Sequence, residues 1–243
     1  MALKNRETLK NYFKKGGFVT EKQFIDLIDS SMNRIDDGIS IEPETGLNLN
    51  PLGDSTKLIS FYKNSAQKTP EYSINLNDET DELVLQDRKN SSLLQINNKG
   101  NIGINNSSPE YSLDIKGTLG IKNRVGTYAK GSVPADGQWH SIIDNLDGIQ
   151  AFEVVASVGG KINTGHYCLS HAIALSTFGG RGSKSKIKKT TAYYGSFRDK
   201  ITYKWGGELH NYSLLIKTYR DYGEENGTPF KIKFSLSSLL DKE

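Results

Sequence analysis

Apolar positions recur along this chain at two periods, and the switch between them separates a helical start from a β-rich remainder. Near the N-terminus, Leu3, Leu9, Tyr12 and Phe13 predict a short helix that stops at Gly16-Gly17, where left-handed backbone costs little. Thr20 with Gln23 three positions later makes a capping box, and Val19 and Phe24 occupy the two positions of a hydrophobic staple. Phe24, Leu27, Ile28, Ser31 and Ile35 then follow at i, i+3, i+4, i+7 and i+11, predicting a second helix that ends at Gly38. Two helices of this size make a meagre core. The stripe either packs on the first helix or forms a seam between copies; the size argument assigns Phe24, Leu27, Ile28 and Ile35 to the seam.

From residue 41 to 123 the period drops to two. Lys57–Tyr62, Tyr72–Leu76, Glu82–Leu85 and Leu93–Ile96 alternate apolar and polar, and turn formers such as Lys89-Asn90 and Asn97-Asn98-Lys99-Gly100 separate them. Strands this short, in a chain of hairpins, carry only half a core each. From residue 124 to the end the runs lengthen: Gln150–Val158, Ala172–Phe178, Lys200–Trp205, Tyr212–Tyr219 and Phe230–Leu236 read as strands, punctuated by glycines. That pattern predicts a β-sandwich or jelly roll.

Composition adds a constraint. Only 35% of the 243 residues are hydrophobic and the mean hydropathy is −0.54, yet there are 12 Tyr and 9 Phe. A polar chain with patterned apolar residues can offset its ordering entropy by burying surface between identical copies. Self-association is therefore expected before any motif is considered. The net charge of +3 is too mild to imply nucleic acid. A single cysteine, Cys168, excludes an internal disulfide framework. No secretory signal opens the sequence, and no run approaches the length of a membrane helix. The chain is expected to be made in the cytoplasm and not to insert in a membrane.

The most informative stretch is Gly100-Asn101-Ile102-Gly103-Ile104-Asn105-Asn106-Ser107-Ser108-Pro109-Glu110-Tyr111-Ser112-Leu113-Asp114-Ile115-Lys116-Gly117. It resembles the shaft repeat of tail-fibre and tail-spike proteins of phages and phage-derived contractile injection systems. Gly100, Gly103, Ser108, Pro109, Leu113, Asp114 and Gly117 fit that repeat as they stand, whereas Asn105-Asn106 replaces its usual Gly-Thr. Asn tolerates the left-handed region, so the turn should survive the change. Phe24–Ser30 with Asp36-Asp37-Gly38 resembles the start of fibre-like proteins of such particles. The resemblance implies a mainly β homotrimer: a particle-anchoring helical base (1–40), a slender intertwined β shaft (41–123) and a C-terminal sandwich head (124–243). Leu113 and Ile115 would then face the shared axis. The family's longer members end in a helical self-cleaving chaperone; Phe230–Leu240 reads as β, so shaft or head is expected to drive trimerisation. Tail or baseplate proteins would be further partners, and the chain would join a virion or injection particle after release. The alternatives are a baseplate or cage subunit that binds only other particle proteins, and a polysaccharide-degrading enzyme, which no residue set of convincing spacing supports.

Candidate chemistry is sparse. In His166-Tyr167-Cys168-Leu169-Ser170-His171, strand parity puts His166 and Cys168 on one face and His171 on the other, short of a zinc set. His140, Ser141 and Asp144 lack the spacing and context of a catalytic triad. No catalytic residue, metal or cofactor is expected. Residues 181–204 hold eight Lys or Arg against one acid, Asp199, with Tyr193, Tyr194 and Phe197 interleaved. Lys184, Lys186, Lys188, Lys189, Tyr193, Tyr194, Arg198 and Trp205 are therefore candidates for binding a cell-surface glycan or receptor. The alternative is a solvated face whose lysines keep the head in solution. Trp139, His210 and Tyr222 are further candidate contacts.

Overall fold

The computed structural model describes residues 4–33, 36–77, 79–163 and 165–241. The protein is mainly β and divides into two compact units, Met1–Gly120 and Ile121–Glu243. The first unit opens with α1 (Arg6–Tyr12), whose cap Asn5 accepts from the Thr8 amide at 2.9 Å. Then comes α2 (Glu21–Asp29), at whose start the Thr20 amide donates to Gln23 Oε1 at 2.9 Å. Helix α2 stops well short of Gly38. Ser31 Oγ donates back to Leu27 O at 2.8 Å, and the Asn33 amide donates to Asp37 Oδ2 at 2.6 Å. Short polar side chains thus take over the backbone groups that a continuing helix would pair. Phe13 and Phe24 meet edge to face at 6.0 Å, so part of the stripe does pack on α1. Ile28 stays 66% exposed, and Ile35 and Leu3 lie outside the described residues.

A small hairpin, β1 (Ile39–Glu42) and β2 (Gly46–Leu49), precedes a six-stranded sheet. Its strands are β3 (Lys57–Phe61), β4 (Tyr72–Asn77), β5 (Glu82–Asp87), β6 (Ser92–Ile96), β7 (Ile102–Ile104) and β8 (Leu113–Ile115), in chain order. Successive strands are antiparallel up to β7; β8 then runs parallel to β7. The connection Asn105–Ser112 is shorter than the dozen or so residues such a crossover ordinarily needs. The shaft-like motif makes it possible. Asn105 adopts φ +53°, and a Cβ on Gly103 would lie 2.1 Å from the Asn106 carbonyl. Pro109 is buried, and Asn101 Nδ2 donates to its carbonyl at 3.2 Å.

The second unit contains β9 (Ala129–Pro134), β10 (His140–Leu146), β11 (Ile149–Gly159), β12 (Tyr167–Thr177) and β13 (Lys186–Tyr194). A 3-10 turn (Phe197–Asp199) leads to β14 (Ile201–Glu208) and β15 (Asn211–Thr218). The two-residue hairpin β16 (Glu224–Glu225) and β17 (Thr228–Pro229) precedes β18 (Lys231–Ser238). One sheet has the order β13-β12-β11-β18-β9 and a second β10-β15-β14. Both contribute to one core: Phe152, Val154, Ala156, Ile232 and Leu236 from the first, Ile142, Tyr203, Leu214 and Ile216 from the second. Strands β11 and β12 alternate buried and open positions along most of their length, as strands with one covered face must.

Candidate functional site

The six-stranded sheet has two unlike faces. Register fixes which residues share a side: Ile74 opposes both Ile59 and Leu85, Leu94 opposes Leu85 and Ile104, and Ile104 opposes Ile115. By the same pairings Phe61 and Tyr72, Leu76 and Leu83, and Ile96, Ile102 and Leu113 complete an apolar face reaching from β3 to β8. None of these side chains is fully buried: Phe61 and Leu113 are 47% and 54% exposed, while the central Ile74, Leu85, Leu94 and Ile104 are half-buried. The opposite face is covered and mostly polar, with Val84, 9% exposed, seated between Asn75 and Gln95 as a buried apolar residue. Ser73, Asn75 and Gln95 are 2%, 5% and 3% exposed. Asn75 Nδ2 donates to Gln86 Oε1 at 3.1 Å, and Gln95 Nε2 donates to the Ser107 carbonyl at 3.0 Å. Apart from Val84, the buried side chains of this sheet are polar while its longest apolar row lies on the other side, a departure from the usual arrangement. Leu113 and Ile115, assigned from sequence to an intersubunit face, sit on the apolar side, and Phe24 and Leu27 lie on α2.

In the second unit the basic segment is dispersed. Lys186, Lys188 and Tyr194 occupy outward positions of β13, the edge strand of its sheet. Lys189 and Tyr193 alternate to the other side. Lys189 Nζ donates to the Ile201 carbonyl at 2.8 Å and lies 5.6 Å from the Tyr219 ring centroid, and burial lowers its pKa. The Tyr193 ring sits under Lys200 Nζ at 4.9 Å. Arg198 stacks on its neighbour Phe197, and Lys184 lies in the connection between β12 and β13. Trp205 packs against Phe152 and Tyr212 at 6.3 and 5.5 Å, so its ring belongs to the interior. Trp139 carries Lys204 and Lys217 over its ring at 4.5 and 5.0 Å. His210 bonds Asp147 at 2.7 Å.

The histidine–cysteine cluster separates as well. Cys168 points into the core, where burial pushes its thiol pKa up. His171 faces outward and meets Glu153 at 2.9 Å. His166 precedes β12 and joins a buried charge cluster: Arg220 Nε is 2.7 Å from Asp199 Oδ1, and Arg220 Nη2 is 3.0 Å from His166 Nε2. Asp199 is fully buried, accepts from the Ser196 amide at 2.7 Å, and gives its carbonyl to the Tyr222 hydroxyl at 2.6 Å. This cluster ties three loops of the second unit together. Ser141 bonds Asp144 while His140 bonds Asp136, so these neighbours in sequence form no triad. Sequence reasoning passed over the outward row of β12, although Tyr167, Leu169, Ile173 and Leu175 announce it by their period of two.

No family model matches the chain, and no curated protein matches it. Among the described residues no helix is long and apolar enough to cross a membrane.

Proposed function

We propose that this protein is a self-associating, fibre-like component of a phage tail or contractile injection particle, working by assembly and binding rather than catalysis. The observation that carries this reading is the open apolar face of the six-stranded sheet. Fully burying one aliphatic side chain is worth about 1.5–3 kcal/mol. Covering a face of this extent can offset the roughly 4–15 kcal/mol of rigid-body freedom lost on association. Monomeric proteins rarely leave such a patch in water. The face itself requires only that copies meet; the number three comes from the likeness of residues 100–117 to a shaft repeat. In this reading the faces of three copies share an axis, the N-terminal helices attach to the particle, and the second unit is a sandwich-type head that presents a ligand surface. Native mass spectrometry tests it. An assembly of about 81 kDa, three times 27.0 kDa, is expected, and a 27.0 kDa monomer at micromolar concentration would overturn it.

A further inference from the structure

The outward side of the five-stranded sheet in the second unit is not an ordinary polar face. On β12 the outward positions include Leu169 and Leu175, 52% and 47% exposed. At one end, Tyr167 of β12 pairs with Tyr194 of β13. Each ring rests on a glycine. A Cβ on Gly159 would come within 3.2 Å of the Tyr167 ring, and one on Gly165 within 3.2 Å of the Tyr194 ring. The rings are thereby held close to the backbone while remaining 43% and 70% exposed. Adjacent strands lie about 4.8 Å apart, so the two tyrosines stand on neighbouring strands of one face. They border an open groove of about 530 Å³ that Leu169 also lines.

Charge flanks this apolar strip on both sides. Lys188 opposes Ile173 and Lys186 opposes Leu175 on the β13 side; Lys233 opposes Ser157 on the other. The outward strand positions include a single carboxylate, Glu153, already held by Arg124 at 2.5 Å and His171 at 2.9 Å. We infer that this face binds an anionic polysaccharide, with sugar rings stacked on Tyr167 and Tyr194 and acid groups paired with Lys186, Lys188 and Lys233. The inference rests on the reading of the second unit as a ligand-presenting head. A second copy is a poor occupant, because two such faces brought together would set lysine against lysine with few carboxylates to separate them: Glu153 is already held by Arg124 and His171, and Glu225 lies beside Lys231 and Lys233. An acidic peptide would satisfy the lysines but leave the glycine-backed rings without a flat partner, whereas the C–H face of a sugar stacks on them. Strands β13 and β18 are three spacings apart, about 14 Å, so the ligand spans several sugar residues.

The test uses the full chain on an array of uronic-acid, sialylated, sulfated and neutral oligosaccharides, with polyglutamate as competitor. Acidic oligosaccharides should be retained over neutral ones. Tyr194→Ala and the pair Lys186→Glu/Lys188→Glu should each weaken retention at least about ten-fold, the scale of one lost stacking contact, and Tyr194→Trp should keep it. Tyr194 carries the test because its open ring can be removed without disturbing the core. Retention of no acidic oligosaccharide, or indifference to Tyr194→Ala, would overturn the inference. So would equal competition by polyglutamate, which would give the face to an acidic protein segment. The mass of each variant separates the two readings: an 81 kDa assembly that binds no glycan sinks this inference alone, and a 27.0 kDa chain that binds one sinks only self-association.

Discussion

Asp199 is the residue on which the second unit's loop packing turns, because it is a carboxylate with no access to water and its charge is met by Arg220 at 2.7 Å. Removing one partner of a buried pair leaves the other charge uncompensated. Arg220→Ala should therefore destabilise the second unit by about 3 kcal/mol in denaturant unfolding, while Arg220→Lys recovers part of it. Tyrosines set the alkaline limit. Burial pushes Tyr203 up to about 12 and raises Tyr222 above its ordinary value of 10.0. A folded-state value above the unfolded one means stability present in full below about pH 10 and lost as pH rises toward about 12. Thermal melts across that interval should show the fall, and Tyr203→Phe should flatten it. At the acid end Asp147 is held low by the His210 hydrogen bond, and Asp136 is held low by bonds from His140 and the Gln138 amide despite burial working against it. Their contributions are present above about pH 4 and vanish as pH falls through the depressed values. None of this could be read from sequence, since Asp199, Arg220 and His166 are far apart along the chain and only the fold joins them.

Among the elements, those bounded by turn formers were the legible ones. Strands β3 to β6 fall within a residue or two of where alternation and Asn- or Gly-rich turns put them, because each alternation is local and its ends are chemically marked. Strand β13 was hidden: its Lys and Thr residues suit an exposed edge and give no apolar period. Helix α2 was overextended because Ile35 continues the stripe numerically, whereas Ser31 and Asn33 divert the backbone first. The parallel placement of β8 was illegible too, since it depends on how closely the Asn106 carbonyl approaches Gly103. That contact is testable. Gly103→Ala should disorder Asn105–Ser112 and lower the melting temperature of the first unit, with loss of the β7–β8 amides from slow hydrogen exchange. Asn105→Val, forced into φ +53°, should cost about 1–2 kcal/mol, whereas Asn105→Gly should be tolerated. The glycan-type residues divided along the same lines: Lys186, Lys188 and Tyr194 share a face, but period-two parity turned Lys189 and Tyr193 away and the core claimed Trp205.

For the whole molecule, the decisive variants lie on the apolar face. Leu85→Lys or Ile104→Lys sits near its centre, on neighbouring antiparallel ladders. Either should shift the species in sedimentation from about 81 kDa toward 27.0 kDa while leaving the second unit's melting intact. A variant that stays assembled would move the seam elsewhere, with Ile28 on α2 the next site to change. The apolar face also has a kinetic consequence. In the proposed assembly this side of the unit is finished by other copies, so its folding would complete in a step that is not first order. Dilution should slow refolding of the first unit and lower its apparent melting temperature, while the second unit, with its own core, regains structure at a rate independent of concentration. A newly made chain would thus carry a sticky surface until it meets its neighbours, which makes the rate of synthesis, and the crowd of sister chains around each ribosome, part of what decides between assembly and precipitation.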